Sequence, residues 1–401
     1  MTIQALEVFR SAPRYLTARA VGSYVPGLIS GPLATIRLVN RSDPEPLGEG
    51  WARVRPVLSG ICGSDLATVS GRSSFYFSSL VSMPFVPGHE VVGELLDEVD
   101  GLNAGTRVVL EPVLNCFARG LEPCANCASG ATGRCDRVTA GHISAGLQTG
   151  YCKDTGGGWS RMFVAHRSQL HPVPGDLSNQ RAVLIEPLSC AVHCALRANV
   201  RPNAEVLVVG AGTIGLLVLL ALKELTRAGR VTVVAKHPVQ REWADTFGAT
   251  EIVEPSGAVN EVRRSTRAMK LRPERGSSYL LGGVDVSIDC VGSRSSLDLA
   301  LRTTRAGGRI VMAGIPVQGA DLTPLWFREL ELAGAYTGGI ESVGETGRHA
   351  FDIATELARS WPIDRMVGAT YPLRRWREAI DHALTAGKLG TLKVAFDPRM
   401  D

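Results

Sequence analysis

The sequence has few lysines, few aromatic residues and almost no excess of charge. Six of the 43 basic residues are lysines, and phenylalanine, tryptophan and tyrosine together make up 6% of the 401 residues. A formal net charge of +4, spread along the chain, gives no basis for an electrostatic surface towards nucleic acid or an anionic membrane. We therefore predict neither as a partner.

Long hydrophobic runs are also missing. The most apolar stretch, residues 206–222, is 17 residues long and contains three glycines and a threonine, which places it at the short limit for crossing a bilayer. The N-terminus, TIQALEVFRSAPR, has no apolar core of the kind that a secretory signal needs. We predict a cytoplasmic protein without a membrane segment.

The chain contains enough apolar material for about two packed domains, with 45% hydrophobic residues in 401. Residues 40–180 hold short β-type runs separated by glycine and proline, which is typical of an antiparallel, barrel-like β domain. From residue 185 to 337 strands alternate with helices, the pattern of a doubly wound parallel sheet. The remaining residues hold a helix and a last strand, LKVAF. The sequence therefore predicts an α/β protein built from these two kinds of domain.

One glycine-rich segment has the context of a dinucleotide site. The residues GAGTIG at 210–215 follow an apolar strand and open an apolar helix, as the fingerprint requires. The first two glycines allow the turn and the approach of a pyrophosphate, and the third lets helix and strand pack. A tight turn without ligand is the alternative. The predicted cofactor contacts are Gly210, Gly212, Thr213, Ile214 and Gly215, with Val291 and Gly314 after two later strands.

The choice between NAD and NADP depends on the end of the next strand, VTVVAKHP. An NAD site usually has an acidic residue there, whereas this sequence has Ala235, followed by Lys236 and His237, with Arg241 one turn on. Cations without a carboxylate favour a 2′-phosphate, so we predict that these residues make NADP the preferred cofactor. The alternative is that the cations are solvated surface side chains.

Nine cysteines are present, and four of them, Cys116, Cys124, Cys127 and Cys135, lie within 20 residues. Four thiolates can close tetrahedrally around Zn²⁺ and leave no position for substrate, so the predicted site is structural. Redox-active or incidental cysteines and an iron–sulfur cluster are the alternatives.

Other residues with metal-ligating side chains are scattered along the chain. Cys62 lies in GICGSDL, His89 and Glu90 in PGHEVVGE, and Glu186 in LIEPLS. A thiolate, an imidazole and a carboxylate would leave a fourth position on zinc for water or substrate, which is typical of a catalytic metal. Each residue alone also has an ordinary structural explanation, such as a helix N-terminal acid for Glu186.

In this order, the GHE motif, the four cysteines, the EPL motif and GxGxxG resemble the zinc-dependent medium-chain alcohol dehydrogenases. The resemblance runs from about residue 40 to residue 396 and is greatest to the polyol, threonine and glucose dehydrogenase branch. It implies a GroES-like β-barrel catalytic domain over residues 1–184 and a Rossmann NAD(P)-binding domain over residues 185–337. A C-terminal segment, residues 338–401, would complete the catalytic domain.

The resemblance implies a ligand set for the catalytic zinc. Cys62, His89 and Glu186 would hold the ion. Glu90 would either alternate with Glu186 as a ligand or contact the ligating side chains without binding the ion. Together with the structural site, two zinc ions per chain are expected.

It also implies roles beside the metal. Asp65 would accept the second N–H of His89 and fix its tautomer, and Ser64 would take the substrate proton. Lys393 falls where the family has a basic residue near the cofactor pyrophosphate.

The sequence departs from the family pattern in three places. Many relatives have a histidine at the outer end of the proton relay, where this chain has Ala67. The insertion FARGLEP lengthens the first cysteine gap to seven residues, which makes Cys116 the least secure of the four structural ligands. The N-terminal segment, residues 1–40, is longer than is usual in the family and has no predicted role.

The predicted reaction is reversible hydride transfer between an alcohol, secondary in this branch, and NAD(P), giving a ketone or an aldehyde. The alternatives are a biosynthetic NADPH-dependent reductase of a conjugated carbonyl or iminium, and a non-catalytic NADP-binding protein. A homodimer or homotetramer is expected from the family. The aromatic residues Phe75, Tyr76, Phe77 and Trp159 either line a pocket or pack in the core.

Overall fold

The computed structural model describes residues 2–21, 27–31, 33–316, 319–344 and 346–400. The chain divides into a first unit, Met1–Glu186 with Ala354–Asp401, and a second unit, Pro187–Ile353. The sequence predicts boundaries after residues 184 and 337. In the structure, residues 338–353 group with the second unit rather than with the C-terminal segment. A contact between Glu341 Oε1 and His193 Nδ1, 2.7 Å apart, ties that stretch to the second unit.

The chain up to the first boundary forms short strands and short helices. The strands are β1 (Thr2–Val8), β2 (Ile36–Ser42), β3 (Trp51–Gly60), β4 (Val91–Leu95), β5 (Arg107–Leu110), β6 (Phe163–His166) and β7 (Leu170–Pro172). The helices are α1 (Ala12–Val21), α2 (Gly27–Ser30), α3 (Gly63–Val69), α4 (Ala125–Ala128) and α5 (Asn179–Ala182), and α6 (Ile185–Arg197) begins here and continues into the second unit. Apolar side chains on β3, β4, β5 and β6 meet in one buried cluster that includes Val54, Leu95 and Phe163.

The second unit alternates strands with helices. Its strands are β8 (Glu205–Val209), β9 (Arg230–Val234), β10 (Glu251–Val253), β11 (Met269–Leu271), β12 (Tyr279–Leu281), β13 (Val284–Asp289), β14 (Thr304–Met312), β15 (Glu331–Gly334), β16 (Ile340–Val343) and β17 (Thr346–His349). Its helices are α7 (Thr213–Leu225), α8 (Pro238–Thr246), α9 (Ala258–Thr266), α10 (Arg294–Thr303) and α11 (Thr323–Phe327), and α12 (Ala350–Ser360) begins in it.

Six strands of the second unit form a parallel sheet in the order β10-β9-β8-β13-β14-β15. The order reverses at β8, and a doubly wound sheet binds its ligand at that reversal, beyond the carboxyl ends of the strands. The predicted Rossmann fold is therefore confirmed. Residues 216–222 of α7 are fully buried, which explains the apolar run. No helix in the described part of the chain is long and apolar enough to cross a membrane.

The last part of the chain returns to the first unit. It forms β18 (Val367–Tyr371), α13 (Trp376–Thr385) and β19 (Lys393–Phe396). The short 3₁₀ helices of the chain are Phe75–Ser79, Thr132–Arg134, Arg167–Gln169, Ile363–Met366, Leu373–Arg375, Ala386–Leu389 and Pro398–Met400. The main sheet has the order β18-β19-β3-β4-β5-β7, and β6 also pairs with β3. The predicted last strand thus lies inside this sheet, between β18 and β3.

The N-terminal residues, which had no predicted role, form a pair of antiparallel strands, β1 and β2, with α1 and α2 between them. The Tyr15 ring lies 5.5 Å from the Phe75 ring, and the Arg19 guanidinium lies 5.3 Å from the same ring. The Tyr15 hydroxyl donates to the carbonyl of Ser73 at 2.8 Å. Helix α1 therefore packs on the segment between the predicted ligands Cys62 and His89.

Candidate functional site

Cys62 lies at the turn between β3 and α3. The N–H of Ile61 donates to the carbonyl of Val394 on β19 at 2.9 Å, which fixes the chain just before the cysteine. Cys62 is the N-terminal cap of α3, and its N–H donates to Asp65 Oδ2 at 3.0 Å. A carboxylate in the first turn satisfies one of the free N–H groups of a helix start. The same turn therefore orients both Cys62 and Asp65.

His89 and Glu90 immediately precede β4 and are 4% and 1% exposed. Gly88 before them has φ +98°, and a Cβ there would lie 2.5 Å from Trp159 Cδ1, so only glycine fits. The carbonyl of Glu90 accepts the N–H of Gly60 at 2.8 Å. These contacts bring the GHE motif beside the end of β3.

One ligand atom each from Cys62, His89 and Glu90 lies within 4.8 Å of the other two. A thiol, an imidazole and a carboxylate are donors that Zn²⁺ prefers, and three protein ligands leave a position for substrate. The residues present therefore fit a catalytic zinc ion. Glu186 lies outside this group in the described structure, although its charge is close enough to raise the pKa of Lys393.

The Nδ1 atom of His89 lies 3.4 Å from Asp65 Oδ1. The approach does not meet hydrogen-bond geometry, so the role of Asp65 in fixing the tautomer of a ligating histidine stays a prediction. Burial lowers the pKa of His89, but its interactions with Asp65 and Cys62 outweigh burial and raise the pKa well above its ordinary value.

The ammonium group of Lys393 is buried against Glu90. It forms an ion pair with Glu90 Oε2 and lies 3.4 Å from the carbonyl of Ile61. Burial lowers the pKa of Lys393, but the carboxylate of Glu90 outweighs it and, with smaller contributions from Cys62 and Glu186, raises the pKa. The observed partner of this lysine is therefore a carboxylate of the zinc cluster, and its predicted contact with a cofactor stays a prediction.

The four predicted structural cysteines form a second cluster. Sulfur atoms of Cys116, Cys124, Cys127 and Cys135 all lie within 4.8 Å of one another. The Sγ atoms of Cys116 and Cys135 are 3.6 Å apart, and the N–H of Cys124 points to Cys116 Sγ at 3.4 Å. This is the donor set of a closed structural zinc site. The structure thus brings Cys116 to the site despite the longer gap.

The insertion folds around one buried arginine. Arg119 is fully buried, and its guanidinium donates to the carbonyls of Leu114, Ala140 and Gly146 at 3.0, 2.7 and 2.7 Å. Five N–H donors in a planar fork suit this many acceptors. Through Arg119, the insertion therefore makes hydrogen bonds to the chain on both sides of the cysteine segment, and Cys116 stays at the cluster.

The glycine-rich turn in the second unit has the geometry that its sequence predicts. Gly210 has φ +97°, and a Cβ there would lie 2.3 Å from Val291 Cγ2. A Cβ on Gly215 would lie 1.8 Å from the carbonyl oxygen of Gly210, whereas one on Gly212 would meet no atom within 4 Å. A Cβ on Gly314 would lie 2.5 Å from the carbonyl carbon of Val291. The open space before α7, next to Val291 and Gly314, therefore fits a pyrophosphate at a helix N-terminus.

The residues predicted to choose the cofactor follow β9. Ala235 is buried, Lys236 is exposed, and His237 is the N-terminal cap of α8. Arg241 forms an ion pair with Glu254. Lys236 is therefore the more accessible of the two strongly basic side chains at this strand end.

Comparison with known proteins decides the family. The alcohol dehydrogenase GroES-like domain matches residues 48–175, and the zinc-binding dehydrogenase domain matches residues 213–353. The chain is 30% identical over 296 residues to sorbitol dehydrogenase of Arabidopsis thaliana, covering 72% of this chain and 74% of the relative. The chain belongs to the zinc-dependent medium-chain alcohol dehydrogenase family.

A further relative and a solved structure are similar to this chain. L-Idonate 5-dehydrogenase of Vitis vinifera is 28% identical over 358 residues, which cover 88% of this dehydrogenase and 89% of the relative. A crystal structure from Sinorhizobium meliloti 1021 bound to NADP has the same fold, with a TM-score of 0.71 and 24% identity over 99% of this chain and 100% of that chain.

The dehydrogenase is thus a zinc-dependent oxidoreductase that transfers a hydride between an alcohol and a nicotinamide cofactor. The prediction of an alcohol dehydrogenase is confirmed, and the alternative prediction of a non-catalytic NADP-binding protein is wrong. The comparisons do not favour the alternative reductase of a conjugated carbonyl or iminium.

The structure of the dehydrogenase also shows a polar residue that sequence reasoning missed. Tyr151 lies beside the zinc cluster, with its hydroxyl 3.4 Å from Asp65 Oδ1 and 3.3 Å from Thr68 Oγ1. It is far from both residues in sequence, and no local motif marks it. Trp159, in contrast, is fully buried and packs on Phe396 with ring centroids 5.1 Å apart, so it belongs to the core.

Proposed function

We propose that this dehydrogenase oxidises a polyol or a related secondary alcohol with NADP⁺ as the hydride acceptor. The observation that carries the proposal is the convergence of Cys62, His89 and Glu90 next to Ser64, two residues beyond the cysteine. The polyol class is taken from the relatives, which include a sorbitol dehydrogenase and an L-idonate 5-dehydrogenase.

Cys62 and His89 would hold the catalytic zinc together with a glutamate. Glu90 is supported as the third ligand because its carboxylate lies in the cluster and Glu186 lies outside it. When bound, zinc supplies Lewis acidity that lowers the pKa of a ligated alcohol or water. Lys393 neutralises part of the negative charge that Glu90 and Cys62 bring together.

The residues around the metal would orient the ligands and remove the proton. Asp65 holds His89 in the tautomer with Nε2 available, and Ser64 accepts the hydroxyl proton of the substrate. The nicotinamide ring supplies the hydride acceptor when the cofactor is bound. The glycines at 210–215 would place its pyrophosphate at the start of α7, next to Val291 and Gly314.

The second zinc would be structural, held by Cys116, Cys124, Cys127 and Cys135. The cysteines form a small buried cluster with contacts to Leu121 and Val138. A zinc with four protein thiolates contributes folding energy and has no open position for substrate. We therefore expect two zinc ions per chain.

The preference for NADP is proposed from the end of β9. Ala235 offers no carboxylate to a ribose 2′-hydroxyl, and the exposed Lys236 can approach a 2′-phosphate. Arg241 would have to break its ion pair with Glu254 before it could contact the 2′-phosphate. Comparison of kcat/KM for NADP⁺ and NAD⁺ on one alcohol tests this, with Ala235→Asp expected to shift the ratio towards NAD⁺.

A substrate survey tests the main proposal. The purified protein is assayed with a panel of polyols, simple secondary alcohols and primary alcohols, and zinc is counted per chain. We expect reduction of the cofactor with at least one polyol and two zinc ions. Cys62→Ala should abolish turnover with cofactor affinity retained. The homo-oligomer predicted from the resemblance and the cytoplasmic location predicted from the N-terminal sequence both stay predictions. Light scattering would measure the number of chains in the oligomer.

Activity with simple alcohols and none with any polyol would refute the substrate class. Full activity of Cys62→Ala would refute the catalytic zinc site. Cys152→Ala is a matched control, because Cys152 is buried but lies outside both cysteine-containing metal clusters of the described structure.

A further inference from the structure

A buried carboxylate lies at the carboxyl end of β13, the strand next to β8 in the parallel sheet. Asp289 is the last residue of β13 and is fully buried. Its Oδ1 atom accepts the N–H of Val291 at 2.9 Å and that of Gly292 at 3.0 Å. Its Oδ2 atom accepts the Ser296 hydroxyl at 3.1 Å. The side chain therefore fixes the turn that connects β13 to α10.

The backbone of the same residue fixes the turn after β14. The carbonyl of Asp289 accepts the N–H groups of Ala313 and Gly314, both at 2.9 Å. One residue is therefore bonded to the chain that follows two neighbouring strands. A Cβ on Gly314 would lie 2.4 Å from the nitrogen of Gly292, which leaves no room between the two turns. A movement of one turn would therefore displace the other.

Both turns border the proposed cofactor site. The strand order reverses at β8, and a doubly wound sheet binds its ligand at that reversal, outside the carboxyl ends of the strands. The Val291 side chain lies against the glycine-rich turn, since a Cβ on Gly210 would be 2.3 Å from Val291 Cγ2. Val291 and Ile315 are apolar, yet 51% and 42% exposed. Their side chains are therefore available to the apolar faces of a bound dinucleotide.

A second aspartate on the same strand provides a contrast. Asp285 lies near the amino end of β13, where its carboxylate accepts the N–H of Glu205 at 2.8 Å and that of Arg305 Nε at 2.7 Å. It is half-buried and has a cation as its partner. The partners of Asp289 in the described structure are all uncharged donors. A buried carboxylate of this kind is stable only while its donors stay in place, so it favours one conformation of the turn.

We propose that Asp289 is a positioning residue for the nicotinamide cofactor, because it holds the turns after β13 and β14 in the conformation that binds the dinucleotide. It acts through Val291, Gly292 and Gly314 and does not itself contact the cofactor. The proposal rests on the dinucleotide site of the proposed function, but not on zinc, the preference for NADP or the polyol class.

The hydrogen bonds can be tested in the protein without cofactor. Hydrogen exchange followed by mass spectrometry reports the local opening of amides. Asp289→Ala leaves the N–H groups of Val291 and Gly292 without their acceptor, so peptides that cover residues 290–293 should exchange faster than in wild type. Asp289→Asn keeps an oxygen that can accept both N–H groups and gains a nitrogen that can donate to Ser296. Its exchange should therefore match that of wild type.

Fluorescence titration with NADPH measures the consequence for binding. Asp289→Ala should raise the Kd about 10–100-fold, the equivalent of one hydrogen bond to a charged group, whereas Asp289→Asn should keep a Kd close to wild type. Asp285→Ala is the matched control, because it loses two contacts on the same strand at the other end of the sheet. Its Tm should fall while its Kd for NADPH stays close to wild type.

Steady-state kinetics separate positioning of the cofactor from a loss of the fold. The assay uses the best alcohol from the substrate survey. In Asp289→Ala the KM for NADP⁺ should rise with the Kd, while kcat at saturating NADP⁺ changes little, because the substitution removes binding that ground state and transition state share. Zinc content should be unchanged, since the residues of both zinc clusters belong to the first unit.

Ser296→Ala is a second variant, which keeps the carboxylate and removes one of its donors. It should raise exchange and Kd less than Asp289→Ala does. Wild-type exchange or a wild-type Kd in Asp289→Ala overturns the inference, as does a loss confined to kcat or an equal loss of affinity in Asp289→Asn or Asp285→Ala. If Asp289→Ala does not fold, a wild-type Kd in Ser296→Ala overturns it. If wild type binds neither NADPH nor NADH, the dinucleotide site of the proposed function fails together with this inference.

Discussion

The buried ion pair between Lys393 and Glu90 allows a quantitative prediction for Lys393→Met. The side chains are 4% and 1% exposed, so in the zinc-free protein removal of the ammonium leaves a carboxylate without a cation and without solvent. Breaking such a pair costs about 3–5 kcal/mol, a large fraction of the ~5–15 kcal/mol that holds a domain folded. For a unit of this size the Tm should fall by about 6–20 °C.

The measurement is thermal unfolding followed by circular dichroism, with urea unfolding as a second probe. Lys388→Met is the matched control, since Lys388 is exposed and its loss should change the free energy of unfolding by less than about 0.5 kcal/mol. The double substitution Lys393→Met/Glu90→Gln removes both charges and should recover much of the loss, because replacing a whole buried pair is often nearly neutral.

The pH dependence follows from the direction of the lysine shift. The pKa of Lys393 is raised above 10.5, so its stabilisation is fully present below that pH and is lost only as pH rises through the folded-state pKa. The deficit of Lys393→Met should therefore be the same at pH 7 and pH 9. A deficit no larger than that of Lys388→Met, or a double variant that is less stable than the single one, would show that the pair does not stabilise the fold.

Three other outcomes follow from the geometry. Cys116→Ser should lower the zinc content from two ions to one and leave catalytic zinc in place, and retention of two ions would show that the other three cysteines suffice. Gly215→Ala should abolish cofactor binding or unfold the second unit, because the Cβ would lie 1.8 Å from the carbonyl oxygen of Gly210. Fluorescence titration measures the affinity for NADPH, and a wild-type affinity would contradict the packing argument. Ser64→Ala should lower kcat/KM about 10²-fold with zinc and NADPH binding unchanged, and an unchanged rate would exclude Ser64 as the proton acceptor.

Much of the fold could be predicted from local patterns. The strands WARVRPVLSG and LKVAF, the turn GAGTIG and the alternation of strands and helices are each encoded within a few neighbouring residues. The same holds for the ligands Cys62 and His89, which lie in short motifs with their own turn residues. Local sequence determines these features because backbone geometry and residue type act over one turn or one strand.

Long-range partners could not be predicted in this way. Lys393 was expected near a cofactor, and its contact with Glu90 depends on β19 inserting beside β3. Tyr151 approaches Asp65 through a loop whose path no motif specifies. The insertion around Arg119 made Cys116 doubtful, because the sequence does not show that one guanidinium gathers carbonyls from both ends of the segment.

The position of β19 has a consequence for how the protein is made. The strand follows the other strands of the main sheet along the chain, yet it lies inside that sheet, between β18 and β3, and carries the cation that faces Glu90. Until β19 has emerged from the ribosome, β3 lacks one of its neighbours and Ile61 lacks its acceptor beside Cys62. The proposed catalytic zinc site can therefore be completed only after residue 393 has emerged, whereas the four-cysteine cluster uses residues that are available long before.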